Sequence, residues 1–455
     1  MMNFLNNPIK YWWQILILTI LAVMFAATSP ARPLEMKMAS STLLPGTAST
    51  NIQKKQNESK RPTPIPQTQV LPSPPPATAS TPATPSTEQT KTSLPTPASA
   101  KRQEPPPITA AAFFPVFPPE ATPDTPPRYA PVASNHPLAE DHAQITHAII
   151  ITHDFSRDAR RALATLMSLA GNQNDMTMIL APQFLLESDI ARYAAQLPNK
   201  GSDFVRWSPG TWSQGADSAA MAGQKGISTF TVMDLLLLLL GDREQFPNLT
   251  NIVIAGHGEG GDFTQRYAAA GQAPDILATQ GVSVRFVAAN PSAYLFLTAS
   301  RPRENKPATT VVAPKPTDEA PQAETPPCPD ANRWPYGLDE LNAYTKKTGG
   351  NAIKLRYPTR KIGVLIGDQV TRQDPAPDTS CAAHAQGADR LARARGYAAH
   401  LQSLFSDELA GTQTFRSIPG VGYDAMGIWG SACGMTMLFG DGQCGKKTAP
   451  IAQDN

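Results

Sequence analysis

The sequence predicts an α/β fold for residues 138–446: a mostly parallel sheet with helices on both faces. Three observations predict it. Apolar runs of strand length alternate with segments of helical spacing, the pattern of repeated βα units. One junction, residues 251–263, reads as a strand, a glycine-rich turn and a helix. Prolines, 46 among 455 residues, cluster outside this region and in one insert within it, which leaves the remainder free for regular structure.

Taken in order, residues 148–152 (Ala-Ile-Ile-Ile-Thr) predict a buried strand. Residues 158–170 follow with Ala159, Leu163, Leu166, Met167 and Ala170 at helical spacing. Residues 177–181 predict a second strand and residues 230–240 a strongly apolar helix. Its leucine run, 235–240, is too short to cross a bilayer and suits a helix packed on a sheet. Strands are expected again at 251–255, 284–289 and 362–366, with helices at 263–270 and 388–404. His384 and His400 fall in or beside that last helical stretch and are expected at the surface. The proline-rich insert, residues 301–327, reads as a surface loop, and residues 447–455 as a tail.

Ahead of the domain the chain changes character twice. Residues 1–10 end in Lys10, and Tyr11-Trp12-Trp13-Gln14 leads into an apolar run that ends at Ala27. The stretch lies at the short limit for a spanning helix, with its aromatic pair placed as an interfacial belt. Residues 11–28 are therefore expected to be a transmembrane anchor, with a cleaved signal peptide as the alternative. Residues 29–135 are rich in Pro, Thr, Ser and Ala, and about half of the chain's prolines fall there. Such a composition does not bury enough apolar surface to offset the entropy of folding, so a disordered linker with polyproline II character is expected. Roughly 100 such residues reach at most about 300 Å when extended and average about 55 Å as a coil. Phe113, Phe114 and Phe117 interrupt the polar run and are candidates for docking onto the domain. The linker reads as a passive spacer or, alternatively, as a ligand for a proline-recognising partner.

Lys and Arg number 39 against 37 Asp and Glu, a net charge of +2, and no like-charge run stands out. Nothing here supports nucleic-acid binding, which needs a concentrated basic face. The four cysteines, Cys328, Cys381, Cys433 and Cys444, include no C-x-x-C pair, so zinc and thioredoxin-like readings are weak. With an exported N-terminus they suggest up to two disulfides, and four cysteines allow three pairings. No metal or cofactor is implied.

The turn itself reads Gly256-His257-Gly258-Glu259-Gly260-Gly261. In α/β hydrolases the corresponding strand-to-helix turn is Gly-x-Ser-x-Gly, the nucleophile elbow, which holds its serine in a strained conformation. Gly256 and Gly260 match the flanking glycines, and Gly258 stands where the serine belongs. Strain there costs a non-glycine residue on the order of 1–3 kcal/mol, and glycine relieves it. The same turn also fits Gly-x-Gly-x-x-Gly through Gly256, Gly258 and Gly261, a dinucleotide-site pattern. It comes late in the chain, with Glu259 and Asp262 placed to repel a pyrophosphate.

The domain resembles a family of exported bacterial and fungal α/β hydrolases whose elbow reads Gly-His-Ser-Ala-Gly-Gly and is followed by Arg-Tyr-Ala, here Arg266-Tyr267-Ala268. Shorter matches run along nearly the whole domain. They include Ala181-Pro182-Gln183-Phe184, Asn290-Pro291-Ser292-Ala293-Tyr294 and Pro419-Gly420-Val421-Gly422. The resemblance implies an α/β-hydrolase fold and points to where the catalytic groups belong. Val370 stands at the position of the family's acid and Tyr423 at that of its histidine. The family's His-Gly near the first strand is here His153-Asp154, which puts a carboxylate beside the expected oxyanion hole. The resemblance also pairs Cys328 with Cys381, since both flank segments that carry cysteines in the family. Cys433 and Cys444, close in sequence, are left as the second pair.

With Gly258, Val370 and Tyr423 at the triad positions, no nucleophile, base or orienting acid is expected in its usual role. His257 is expected to be structural, Glu259 to point away from the elbow centre, and Asp368 to have nothing to orient. The reading is of a catalytically degenerate hydrolase-like domain that binds or scaffolds in an envelope assembly. It would be tethered to the inner membrane with the domain in the periplasm, or secreted if the leader is cleaved. Its expected partners are the membrane, through the N-terminal helix, and a protein or cell-wall component. A hydrolase with a noncanonical nucleophile is the main alternative, and nucleotide binding a remote one.

Overall fold

The computed structural model describes residues 112–440, apart from 222, 302–327, 372, 406–408 and 410, together with Cys444. The expected anchor at 11–28, most of the expected linker, the 301–327 insert beyond Arg301, and the tail lie outside the described residues. Eight strands form one sheet: β1 (Ala112–Val116), β2 (Arg128–Ser134), β3 (His147–Thr152), β4 (Thr177–Pro182), β5 (Asn251–His257), β6 (Ser283–Ala289), β7 (Lys361–Gly367) and β8 (Gln413–Ile418). Their order is β1-β2-β4-β3-β5-β6-β7-β8. β2 runs antiparallel to both its neighbours, and every pair from β4 to β8 is parallel. This is the α/β-hydrolase fold expected from the sequence.

Alternation along the strands builds two cores, because successive side chains leave opposite faces of a strand. Ala148, Ile150, Ile252 and Ile254 pack on one face and Ile149, Ile151, Val253 and Ala255 on the other. The first face is covered by α2 (Thr229–Leu240), α3 (Glu259–Ala270) and α4 (Arg390–Phe405), through Phe230, Phe263 and Tyr397. The second is covered by α1 (Ala159–Ala170) and α5 (Ala432–Phe439), through Leu163, Leu166 and Leu438. Asp158 caps α1 by accepting the Arg161 N–H, and Ser431 caps α5 through Gly434 N–H.

Three expectations need correction. The domain begins at Ala112, not near residue 138: β1 and β2 occupy residues assigned to the linker. Phe114, Val116, Ala130 and Val132 alternate inward and are buried. Pro115 lies on the edge strand, and Pro131 sits in β2 with its carbonyl accepting Gln183 N–H. A proline count averages over such alternation and hides it. His400 is buried, not at the surface; its Nε2 accepts the Leu297 N–H, and burial lowers its pKa to about 4. Strand β8 and the C-terminal helices, absent from the sequence reading, complete the sheet edge and its second face.

Both expected disulfides are formed, Cys328 with Cys381 and Cys433 with Cys444, at Cα separations of 5.7 and 4.2 Å. They suit an oxidising, extracytoplasmic compartment. Among the described residues, no helix is long and apolar enough to cross a membrane.

Candidate functional site: a filled nucleophile elbow

Strand β5 ends in His257 and α3 begins at Glu259, so the chain reverses at Gly258, whose φ is 59° and ψ −121°. The flanking glycines are fixed by close packing. A Cβ on Gly256 would meet Gly260 O at 2.1 Å and Thr152 Oγ1 at 2.3 Å, and one on Gly260 would meet His153 O at 2.5 Å. Thr152 locks this crossing by donating to the carbonyls of Ala255 and Gly260, both at 3.0 Å. The geometry is a sharp strand-turn-helix reversal with a positive-φ glycine at its centre.

The space a nucleophile would need is taken. A Cβ built at position 258 would lie 1.9 Å from the Tyr423 hydroxyl and 2.4 Å from Asp154 Oδ1. Asp154 stands just beyond β3, and its Oδ1 accepts the backbone N–H groups of Phe155 at 2.6 Å and Glu259 at 3.3 Å. In a hydrolase of this fold, the N–H of the residue after the nucleophile and one from the β3 loop make the oxyanion hole. Here both point at a resident carboxylate. Tyr423 donates to that carboxylate, with its Oη 2.9 Å from Oδ1 and 2.8 Å from Oδ2. Burial alone would raise the Asp154 pKa, but His257, the Phe155 N–H and the Tyr423 hydroxyl outweigh it and hold the pKa below its ordinary value. Burial, and then the neighbouring Asp154 charge, push the Tyr423 pKa far above its usual range, so the phenol stays protonated and donates.

His257 lies behind this pair. Its Nδ1 is 3.6 Å from Asp154 Oδ2, and its ring centroid lies 4.5 Å from that of Tyr423. Nε2 faces the Asn290 amide at 3.1 Å. Asn290 sits just past β6 with a φ of 45° and bridges three elements. Its Nδ2 also donates to Gly422 O at 3.1 Å, and its Oδ1 accepts Gly367 N–H at 2.9 Å. The loop that carries Tyr423 is thereby pinned to β7. Arg390 covers the outer side of Tyr423, with its guanidinium 4.4 Å from the ring centroid. His153 donates through Nδ1 to Asp154 O and accepts Phe184 N–H at Nε2, both at 3.0 Å. Burial lowers its pKa to about 4, so it is a neutral strut.

The structure thus brings Gly258, Tyr423, Asp154, His257 and Glu259 together, and places Asp368 and Val370 on the loop after β7, where the Gln369 N–H donates to Val421 O in the loop that carries Tyr423. Val370 is buried in the apolar core. Asp368 ties the loop after β7 to the loop after β8, accepting from Gly420 N–H at 2.8 Å, and also accepts from Gln369 Nε2 at 3.0 Å. The Glu259 side chain turns from the elbow centre to accept the Ser213 hydroxyl at 3.1 Å. Burial, and then the charge of Asp262, raise its pKa to about 7. Sequence reasoning did not find Asn290 as a clamp, although Asn is among the few residues that tolerate positive φ. Ser213 carried no sequence signal. Among the described residues, no group of three or more His, Cys, Asp or Glu side chains is gathered as a metal ion would require.

No family model matches the chain, and no curated protein matches it. Among solved structures it is similar to LpqC, a poly(3-hydroxybutyrate) depolymerase from Bordetella parapertussis. The two share 19% identity at a TM-score of 0.45, over 70% of this chain and 86% of that one. Poly(aspartic acid) hydrolase-1 from Sphingomonas sp. KT-1 gives 16% identity and a TM-score of 0.45, over 70% of this chain and 96% of that one. The siderophore hydrolase EstA from Aspergillus nidulans gives 10% identity and a TM-score of 0.31, over 72% of this chain and 92% of that one. The α/β-hydrolase fold itself rests on the order and direction of the eight strands and the helices on both faces.

Proposed function

We propose that this domain is a catalytically degenerate α/β hydrolase that works by binding or scaffolding in the cell envelope. One observation carries the reading. The Asp154 carboxylate and Tyr423 hydroxyl occupy the space a nucleophile and an oxyanion would share. Acyl transfer needs an attacking group and a donor set free to meet the developing oxyanion. A negative charge already seated on those donors opposes a second one. The two disulfides support placement outside the cytoplasm, and the apolar run at 11–28 with the proline-rich stretch supports a membrane tether.

The test is turnover by the purified full chain against a panel of esters, amides and acyl-thioesters. Rates equal to buffer support the reading, and saturable turnover of any panel member overturns it. Cell fractionation tests the tether, which predicts the chain in the membrane pellet until high detergent releases it. Recovery in the cytosolic fraction would remove the envelope placement.

A noncanonical hydrolase is the second reading, favoured by Glu259 alone. A carboxyl with a pKa of about 7 beside Ser213 is suited to donate a proton near neutrality. If the panel yields turnover, that reading requires Glu259→Gln to abolish it. Nucleotide binding is disfavoured because the Glu259 N–H at the start of α3 is already taken by Asp154.

A further inference from the structure

Helix α3 carries Glu259, Asp262 and Arg266 at i, i+3 and i+7, a single face. Asp262 and Arg266 on that face are buried, and Glu259 is partly exposed. Arg266 is 2% exposed. Among the described residues its one hydrogen bond is from Nη1 to Ser213 O at 3.3 Å, its Nε has no acceptor, and no carboxylate lies within ion-pair distance. A guanidinium so placed is costly unless something pairs with it. Arg390, 3% exposed at the start of α4, donates from Nη2 to the carbonyls of Pro375 and Ala376 and lies 3.9 Å from Asp374, but its Nε and Nη1 have no hydrogen-bond acceptor among the described residues. Tyr294, fully buried after β6, has no partner for its hydroxyl among the described residues.

These groups border one region. Asp262, one turn before Arg266 on α3, accepts the Ser292 N–H at 2.7 Å, and the Ser292 carbonyl accepts Arg393 Nη1 at 2.6 Å, one turn from Arg390 on α4; Tyr294 lies two residues beyond Ser292. The three nearby carboxylates are already hydrogen-bonded, Glu259 to the Ser213 hydroxyl. Asp262 accepts Ser292 N–H at 2.7 Å, Ser292 Oγ at 2.5 Å and Ala293 N–H at 3.3 Å. Asp378 accepts Tyr336 Oη at 2.7 Å and Ser380 N–H at 2.9 Å. Around the buried floor of Arg266, Arg390 and Tyr294, the groups Glu259, Tyr336 and Asp378 are partly exposed.

We propose that this region beside the elbow is a ligand chamber, and that its ligand presents a carboxylate to Arg266 and Arg390. The unmatched guanidinium N–H groups donate and never accept, so the complementary group must be an acceptor, and a buried cation favours a charged one. The position agrees with ligand binding outside the carboxyl ends of the strands in open α/β sheets. The chamber rests on the proposed silence of the elbow only in that a ligand bound here would leave unconverted.

The test is calorimetric titration of the purified full chain with sodium propanoate and, in parallel, with propanamide, its neutral isostere. Saturable propanoate binding at least about tenfold tighter than propanamide is expected, with Arg266→Gln and Arg390→Gln each weakening it by about tenfold or more. Arg160→Gln, an exposed change, leaves it unaltered. Tyr294→Phe supplies a second reading that does not depend on the folding of the arginine variants. It removes an unpartnered hydroxyl, so affinity should fall severalfold while the melting temperature holds or rises. Absence of saturable propanoate binding overturns the proposal, as does equal binding of the amide. A Tyr294→Phe protein with a lower melting temperature and unchanged affinity overturns it too. Ester turnover with intact carboxylate binding would sink the silent-elbow reading and leave this one standing.

Discussion

A serine at position 258 would need a left-handed backbone and would put its Cβ 1.9 Å from the Tyr423 hydroxyl. Gly258→Ser alone should therefore lower unfolding free energy by about 1–3 kcal/mol, read as a shift in urea midpoint at constant slope, and should bring no activity. Tyr423→Phe strips the Asp154 carboxylate of its phenolic donor and should cost about 1–3 kcal/mol, since hydrogen bonds to charged groups lie at the strong end. The two carboxyls of the site respond to pH with opposite sign. Asp154 has a folded pKa below its ordinary value, so its contribution is present above that ordinary value and is lost as pH falls through the folded pKa. Glu259 has a folded pKa raised from 4.5 to about 7, so its contribution is full below 4.5 and is lost as pH rises through about 7. Glu259→Gln should accordingly flatten the decline in stability between those values, by on the order of 3 kcal/mol at most. An unchanged pH profile in that variant would contradict the buried setting assigned to Glu259. Gly258 and Asp154 were legible in the sequence because a motif with fixed spacing marks them. The bond from Tyr423 to Asp154 was not, because it joins residues far apart in sequence through the meeting of two loops.

At the scale of elements, the strands and helices with unbroken apolar periods, from β3 to β7, are readable from sequence to within a few residues. The elements that escaped have mixed signals. β1 and β2 carry prolines inside an alternating pattern, and the exposed side of β8 alternates weakly, with only Ile418 fully buried. The disulfides tie down two loop systems of different size. Cys328–Cys381 spans 53 residues and Cys433–Cys444 spans 11. Chain-entropy reasoning makes removal of the first pair costlier by about 1 kcal/mol. Paired Cys→Ala variants compared by thermal melting under oxidising conditions check this, and an equal or reversed order would show that native-state packing outweighs loop closure.

For the whole molecule, the sheet order is that of an α/β hydrolase, and the proposed reading is that Asp154 and Tyr423 close its reaction centre. The sequence reaches that picture through what stands at 258, 370 and 423. It does not show that Asp154 Oδ1 would lie 2.4 Å from a Cβ at position 258, so that restoring those three positions alone is expected to leave the site blocked. The most direct measurement is hydrolysis of p-nitrophenyl butyrate by four proteins: the natural chain, Asp154→Gly, the triple variant Gly258→Ser, Val370→Asp, Tyr423→His, and that triple with Asp154→Gly added. The account predicts that the first three stay at the buffer rate and that only the fourth rises above it. Turnover by the natural chain, or by the triple variant with Asp154 in place, would contradict it.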